Sequence, residues 1–507
     1  MGLYLSISFF AAAVVYLALQ ILLIGTQSRK EPQLFPTATP FLDPAIGILR
    51  HKVNYLANFR SKYRASIHTL RLPFQRLYVV HAPHLIQAIQ KKANAGIFIP
   101  NLLDFGMLFS GLTKNSQRTL RNAYNIEGNG FTLSVHKHLL SGPSLSTATR
   151  AAVDCLSTSV SNMCDNNCQQ GLMELIQHDF TLALTGAIYG PENPYDDPLI
   201  EASWRDFVPG ISHLLYSPFP FLTARNALQA RGRVIGAFAS YFRTGGHLRA
   251  IPMISEMFEI NKRHGLDSDE AAKMEMATSL AMLSSGAITS FWLLFHLLSD
   301  ADAMKSIRHE LHAMIIDNSD GDNTIPRTKV LPLTGIKKRC PTLVALMNET
   351  FRFHSTVINI KQVQHDTELA NQYLLKKDGI IMIPGQSVHH NTDIWGVSAD
   401  IFDYHRFLSH DWKGNISSTS AFRPFGAGST MCPGRHFSTN IILSLVAMIV
   451  LQYDIEPIEG EWKAPTKKNA DLWNAMPKPD WDVKIRLAKR LEEKEIEWKF
   501  LWGDEDA

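Results

Sequence analysis

Between Leu3 and Ile24 no residue carries a charge. As a helix this run would be roughly 33 Å long, enough to cross a bilayer hydrocarbon core of about 30 Å. The first basic residues, Arg29 and Lys30, follow the run instead of preceding it. That order favours a transmembrane anchor over its rival, a cleaved signal peptide, and places the following side in the cytosol. Pro32, Pro36, Pro40 and Pro44 then predict a stiff, non-helical tether.

A second run, from Met276 to Ser299, is also uncharged. Its length alone would permit another span. It carries Thr278, Ser279, Ser284, Ser285, Gly286, Thr289, Ser290 and His296, however, a polar load that suits a helix buried on all sides of a large core. The small and hydroxylic stretch from Ser284 to Ser290 predicts a place where that helix opens locally and makes room for a ligand.

Elsewhere helical periodicity dominates, between Pro194 and Phe242 and again from Ala301 to Ile316, where Met304, Ile307, Leu311 and Ile315 recur at three-to-four spacing. Strand signals are short: Arg76 to Val80 and Gly379 to Ile383, the latter followed by a Pro384-Gly385 turn. The pattern predicts a mainly α protein with small β-sheets. The expected division is an anchor over 1–25, a tether over 26–45 and one catalytic unit over 46–507, since no repeat or low-complexity tract marks a further boundary.

Composition narrows the class. Of 507 residues 45% are hydrophobic and 19% charged, which excludes a disordered or coiled-coil chain. Fifty Lys plus Arg against 47 Asp plus Glu give a formal charge of +3, too little field to argue for nucleic acid, so no nucleic-acid partner is expected. Five cysteines, at 155, 164, 168, 340 and 432, are too few and scattered for a secreted disulfide framework and fit a reducing compartment.

The densest chemistry lies in Phe425-Gly-Ala-Gly-Ser-Thr-Met-Cys-Pro-Gly-Arg435. Its glycines let the backbone turn tightly and approach a flat partner. Cys432 stands just before Pro433 and the apolar run Ile441 to Leu451, so the thiol is expected at a helix N-terminus, where dipole and amides favour the thiolate that a nucleophile or soft metal ligand needs. A small buried hydrophobe in a loop is the plainer reading of a lone cysteine. No complete phosphate-loop pattern is present.

This segment resembles the haem-binding loop of the cytochrome P450 superfamily, Phe-x-x-Gly-x-Arg-x-Cys-x-Gly, through Phe425, Gly428, Cys432 and Gly434. Glu349-Thr-Phe-Arg352 looks like the family's Glu-x-x-Arg helix, with Arg406 of Phe402-Asp-Tyr-His-Arg-Phe407 as the third member of that structural set. Ser285 to Ser290 looks like the oxygen-binding groove of its central helix. In isolation Glu349 and Arg352 would read as an ordinary surface helix pair. The resemblance implies a cytochrome P450 fold with an N-terminal transmembrane helix and a haem b cofactor whose iron takes Cys432 as axial thiolate. Arg435, beside Gly434, is placed with the cofactor-binding residues.

Departures from the pattern are informative. Thr430 stands where the family has Arg or His for a haem propionate, so Lys361 becomes a candidate for that charge. The family's Trp-x-x-x-Arg is replaced by Val135-His-Lys-His-Leu139, offering His136, Lys137 or His138; a His-x-His metal site is the rival there. Thr289, with Ser290, matches the threonine that helps deliver protons, but Ile288 replaces the preceding acid.

These features resemble the sterol 7α-hydroxylase and prostacyclin synthase branch, and fungal secondary-metabolism enzymes. The implied function is a monooxygenase that oxidises a lipophilic small molecule, such as a terpenoid, steroid-like compound, alkaloid or polyketide, with dioxygen and electrons from NADPH-cytochrome P450 reductase. The alternatives are a P450-type isomerase needing neither, and a haem sensor without turnover. The resemblance places the pocket at Ile99 to Leu112, Phe207 to Phe221, the central helix, Ser355 to Ile360 and Asp471 to Met476. It implies attachment to the endoplasmic reticulum with the catalytic unit facing the cytosol.

Overall fold

The computed structural model describes the chain except residues 1, 64, 95–97, 100–105, 108, 128–129, 165–166, 218, 318–326, 410–419, 429–430, 491–495 and 504–507. Thr430 and part of the Ile99 to Leu112 segment lie outside the described residues.

Helices begin where the sequence supplies a cap. The Asp267 carboxylate accepts the Glu270 N–H at 2.8 Å and Asp300 that of Ala303 at 2.9 Å, each satisfying an amide that a first turn leaves without a helical partner. Proline leads several others, where its missing N–H costs nothing. The helices that position the site are α1 (Gly2–Thr26), α2 (Leu42–Tyr63), α3 (Gly130–Leu139), α4 (Pro143–Ser161), α5 (Leu172–Tyr189), α6 (Arg225–Arg243), α7 (Ser268–Leu283), α8 (Gly286–Leu298), α9 (Pro341–His354) and α10 (Arg435–Gln452).

A five-stranded sheet stands beside them. Its strands are β1 (Ile67–Leu72), β2 (Gln75–Val80), β3 (Phe98–Ile99), β4 (Ile358–Val363) and β5 (Ile380–Pro384), in the spatial order β1-β2-β5-β4-β3. β5 runs parallel to β2 and antiparallel to β4, with Met382 opposite Ile360. Two three-stranded sheets and a hairpin complete the described strands. The fold is mainly α with small sheets, as the pattern predicts.

α8 packs against α5, α9 and α10 at the centre of the largest core. α7 and α8 together form a buried rod, interrupted where the sequence places small and hydroxylic residues: Ser284 and Ser285 leave the helix and Gly286 resumes it. A Cβ at Gly286 would meet the Phe180 ring at 2.2 Å, so glycine is what lets α8 lie against α5.

Several elements differ from expectation. Pro44 is in the first turn of α2, a position where its missing N–H is tolerated. The tether is also laid down on the sheet: Phe35 N–H donates to Thr69 O at 3.0 Å and Thr69 N–H to Gln33 O at 2.9 Å. The stretch from Pro194 to Phe242 is mainly helical, as its periodicity predicts, with Pro198–Phe207, Ile211–Tyr216, Pro220–Thr223 and Arg225–Arg243 among its described helices. Pro384-Gly385 leads into one helical turn, Gly385–His389. Cys164 and Cys168 form a disulfide that the scattered cysteine count gave no reason to expect.

The end of α1 is fastened to the sheet. Arg71 Nη2 donates to Thr26 Oγ1 at 3.1 Å and Arg76 Nη2 to Thr26 O at 2.8 Å. Arg76 also pairs with Glu31, which accepts the Tyr78 hydroxyl at 2.9 Å.

Candidate active site

The hydrogen bonding around α9 explains how a buried ion pair survives. Glu349 and Arg352, one turn apart, are both fully buried. Arg352 Nε and Nη2 each donate to the Glu349 carboxylate at 2.7 Å, and Nη1 donates to the His389 and Ala399 carbonyls at 2.7 Å. Glu349 Oε1 also accepts the Asp403 N–H at 2.8 Å and lies 3.4 Å from Arg406 Nε. With its donors and acceptors engaged in this way, the pair's desolvation cost is offset and it locks the 399–407 segment to α9.

A second aromatic tie runs from α9 to the Gly-rich loop: the Phe351 and Phe425 rings are 4.8 Å apart. The loop then turns through Gly426 (φ +79°) and Gly428 (φ +60°), the left-handed region that only glycine enters freely. Cys432 N–H closes it on Phe425 O at 2.8 Å, and Arg435 Nη1 returns to Cys432 O at 3.1 Å. α10 starts at Arg435, so Cys432 stands three residues before the helix.

Cys432 combines two properties that seldom coincide. Its surface is exposed, yet burial pushes its thiol upward, opposed by the Gly434 N–H and Arg435. Such a sulfur is reachable from outside yet has protein crowded around it. The expected helix-dipole activation is outweighed by desolvation, so a thiolate is unfavourable there until a cation takes the sulfur. A Cβ at Gly434 would meet nothing within 4 Å, so the backbone beside the thiol borders open space.

The central rod has an open side. Ala281 is exposed although most of the helix around it is buried, and Ser284, Ser285 and Ile288, on the same face, are half-buried. Thr289 and Ser290 are buried; their hydroxyls donate back to Ser285 O at 2.8 Å and Gly286 O at 3.1 Å. Segments expected to line a pocket make contacts with the rod and with each other: a Cβ at Gly106 would meet Ala277 of α7 at 3.9 Å, and Trp473 Nε1 donates to Ser212 Oγ at 3.2 Å. Ile360 of β4 is likewise open.

Near the loop the interior holds two cations. Lys361 on β4 and Arg423, nine residues before Cys432, are 3% and 2% exposed. Burial lowers both, Arg423 to about 10, and the Arg423 charge lowers Lys361 further. His136, by contrast, is on the exposed side of α3. On the same helix His138 is buried and pairs with Glu256 at 2.7 Å, leaving the two histidines of the rival His-x-His reading on opposite sides of α3. Among the described residues no cluster of three metal-ligating side chains occurs.

Residues 253–483 match the cytochrome P450 family model. The cytochrome P450 monooxygenase nodJ of Hypoxylon pulicicidum is 29% identical across 97% of this chain and 98% of its own length. A cytochrome P450 monooxygenase of Gibberella zeae is 25% identical over 93% of each, and the cytochrome P450 7A1 of Oryctolagus cuniculus is 26% identical over 48% of this chain and half of its own. The chain belongs to the cytochrome P450 superfamily. It is a P450 monooxygenase by kinship, and the family's cofactor is haem with a thiolate ligand to iron.

The residues of this P450 fit that cofactor. A soft sulfur that is reachable, open space at Gly434 and a buried arginine that is partly unpartnered among the described residues are what an iron-centred, flat, carboxylate-bearing group requires. Arg423 escaped the sequence reading, because an arginine beside a proline looks like an ordinary loop cation. The signal available was its position on the same loop as Cys432.

Proposed function

We propose that this P450 oxidises a lipophilic small molecule of secondary metabolism at a haem held by Cys432, with electrons from NADPH-cytochrome P450 reductase. The haem, when bound, supplies the activation of dioxygen. The protein supplies the rest. Phe425, Gly426, Gly428 and Gly434 shape the loop so that Cys432 presents its sulfur and the backbone admits a flat ring; Arg435 fastens the loop at the Cys432 carbonyl. Glu349, Arg352 and Arg406 hold that wall in place. Thr289 and Ser290 handle protons at the break in the central rod. Their hydroxyl oxygens remain acceptors while the hydrogens rest on backbone carbonyls, so water must join any relay, the more so because Ile288 offers no carboxylate.

The observation that carries the reading is Cys432, reachable yet enclosed, on a Gly-rich loop tied to the Glu349–Arg352 helix. Ala277, Ala281, Ile288 and Ile360 give the open surfaces an apolar character, which supports a lipophilic substrate. α1 supports attachment to the endoplasmic reticulum membrane with the catalytic unit in the cytosol: Ile7–Thr26 is only 6% buried. Phe219, Phe221 and Leu222 are exposed and add an apolar surface through which such a substrate can enter.

A second reading, an isomerase that rearranges a peroxide, is favoured by Ile288 and by the committed hydroxyl hydrogens. The two separate in one experiment: full-length protein and reductase are incubated with host metabolite extract under labelled dioxygen, with and without NADPH. An NADPH-dependent product carrying one labelled oxygen is expected. Conversion at unchanged mass without NADPH would establish the isomerase. Cys432→Ser is expected to abolish the ferrous carbon monoxide band of a thiolate haem, and its persistence would sink the ligand assignment.

A further inference from the structure

Arg423 is an unusual buried charge. Its backbone N–H donates to His389 Nε2 at 3.0 Å, and its Nη2 contacts Asn359 Oδ1, a neutral acceptor. Among the described residues Nε and Nη1 are buried without a hydrogen-bond partner, and no carboxylate acts on its ionisation. A guanidinium removed from water costs several kcal/mol unless an anion meets it. Here its charged neighbour is another cation, Lys361, which raises the cost.

Strand geometry puts Asn359 and Lys361 on one face of β4, both buried, while Ile360 between them is open on the other. Arg423 faces this pair from the loop that leads to Cys432. Two cations and an amide thus converge on one point from two rigid elements. The missing partner is an anion with at least two acceptor oxygens, and a planar carboxylate suits the fork of Nε and Nη1.

We infer that Arg423, with Lys361 and Asn359, forms a clamp for one haem propionate, replacing the basic residue absent at Thr430 and leaving His136 outside the site. The inference rests on the haem–thiolate reading above. It explains why an arginine that meets no carboxylate among the described residues is retained in the interior: a propionate would balance its charge. Arg423 is a cofactor-binding residue here and touches no reacting atom.

The test is haem loss from holoprotein to an excess of apomyoglobin, measured for wild type, Arg423→Gln, Arg423→Lys, Lys361→Gln and His136→Ala, alongside the ferrous carbon monoxide spectrum. Arg423→Gln is expected to lose haem about tenfold faster or more and Lys361→Gln several-fold faster, both keeping the thiolate band, while His136→Ala matches wild type. Wild-type rates in both Arg423→Gln and Lys361→Gln, or a greater loss in His136→Ala, overturn the clamp. If Arg423→Gln yields no folded holoprotein, Arg423→Lys and Lys361→Gln decide: faster loss in both supports the clamp and wild-type loss in both overturns it. Absence of the thiolate band in wild type would instead defeat the underlying haem–thiolate reading, so the two failures are distinguishable.

Discussion

Two stretches of this chain, Ile7–Thr26 and Ser268–Leu298, are both long and apolar enough to cross a membrane, with mean hydropathies of 2.5 and 1.5. They end in opposite surroundings, the first 6% buried and the second 67%. Hydrophobicity says only that a helix avoids water; whether it finds lipid or protein depends on its smaller and more polar residues. α1 has no break to fit around and offers side chains outward. The central rod carries Gly286 to meet Phe180, Thr and Ser hydroxyls that bond back to carbonyls, and an open side at Ala281.

The largest effect expected from this contrast is a charge placed in each helix. Leu294→Lys, at a fully buried position, should cost more than 4 kcal/mol and leave little folded protein, as thermal denaturation of the purified chain would show. Leu17→Lys, at a position 60% exposed, should leave the melting of the body unchanged but weaken membrane retention by about 2.5–3.5 kcal/mol. Equal damage by both would erase the distinction.

A gentler pair uses glycine. Gly286→Ala should lower stability by about 1–3 kcal/mol because its methyl overlaps Phe180. Gly25→Ala, with nothing within 4 Å, should not shift the melting of the body.

Much of this contrast was legible in the sequence. The Ser-Ser-Gly cluster marked the break, whereas the spacing of Glu349 and Arg352 alone reads as a surface pair, and only the family resemblance pointed to the buried set they form with Arg406. What was not legible depends on partners distant in the chain. Phe180 meets Gly286 across more than a hundred positions; Arg423 becomes a buried cation only because β4 brings Asn359 and Lys361 to it. Pro44 reads as a helix breaker unless one knows that the helix begins at Leu42.

Acidity sharpens the comparison further. On α7, Glu275 is buried and accepts the Tyr189 hydroxyl at 2.8 Å; burial pushes its carboxyl up to about 7, with the Tyr189 bond opposing. The folded-state value lies above the unfolded one of 4.5. Its contribution is therefore fully present below about pH 4.5 and is lost as pH rises through about 7. Denaturant melts from pH 5 to 8 should show a decline on the order of 1–2 kcal/mol that Glu275→Gln removes. Ile7–Thr26 contains no group that titrates in that interval, so membrane retention should be level across it.

Within the central rod the smallest change in stability is expected at Thr289. Removing its hydroxyl in Thr289→Ala forfeits one hydrogen bond within the helix, about 1 kcal/mol or less. The fraction of NADPH electrons recovered in product should nevertheless fall. An unchanged fraction would make Thr289 a packing residue and leave proton traffic to water alone.

The joint at Thr26 has a mechanical consequence. Arg71 and Arg76 reach it from two adjacent strands of the sheet that also carries Asn359 and Lys361. A hinge made of flexible linker would let each side turn freely; this one is bolted at two points to a stiff plate. Tilting α1 therefore acts as a lever on that plate, and the attitude of the sheet follows that of the helix bolted to it.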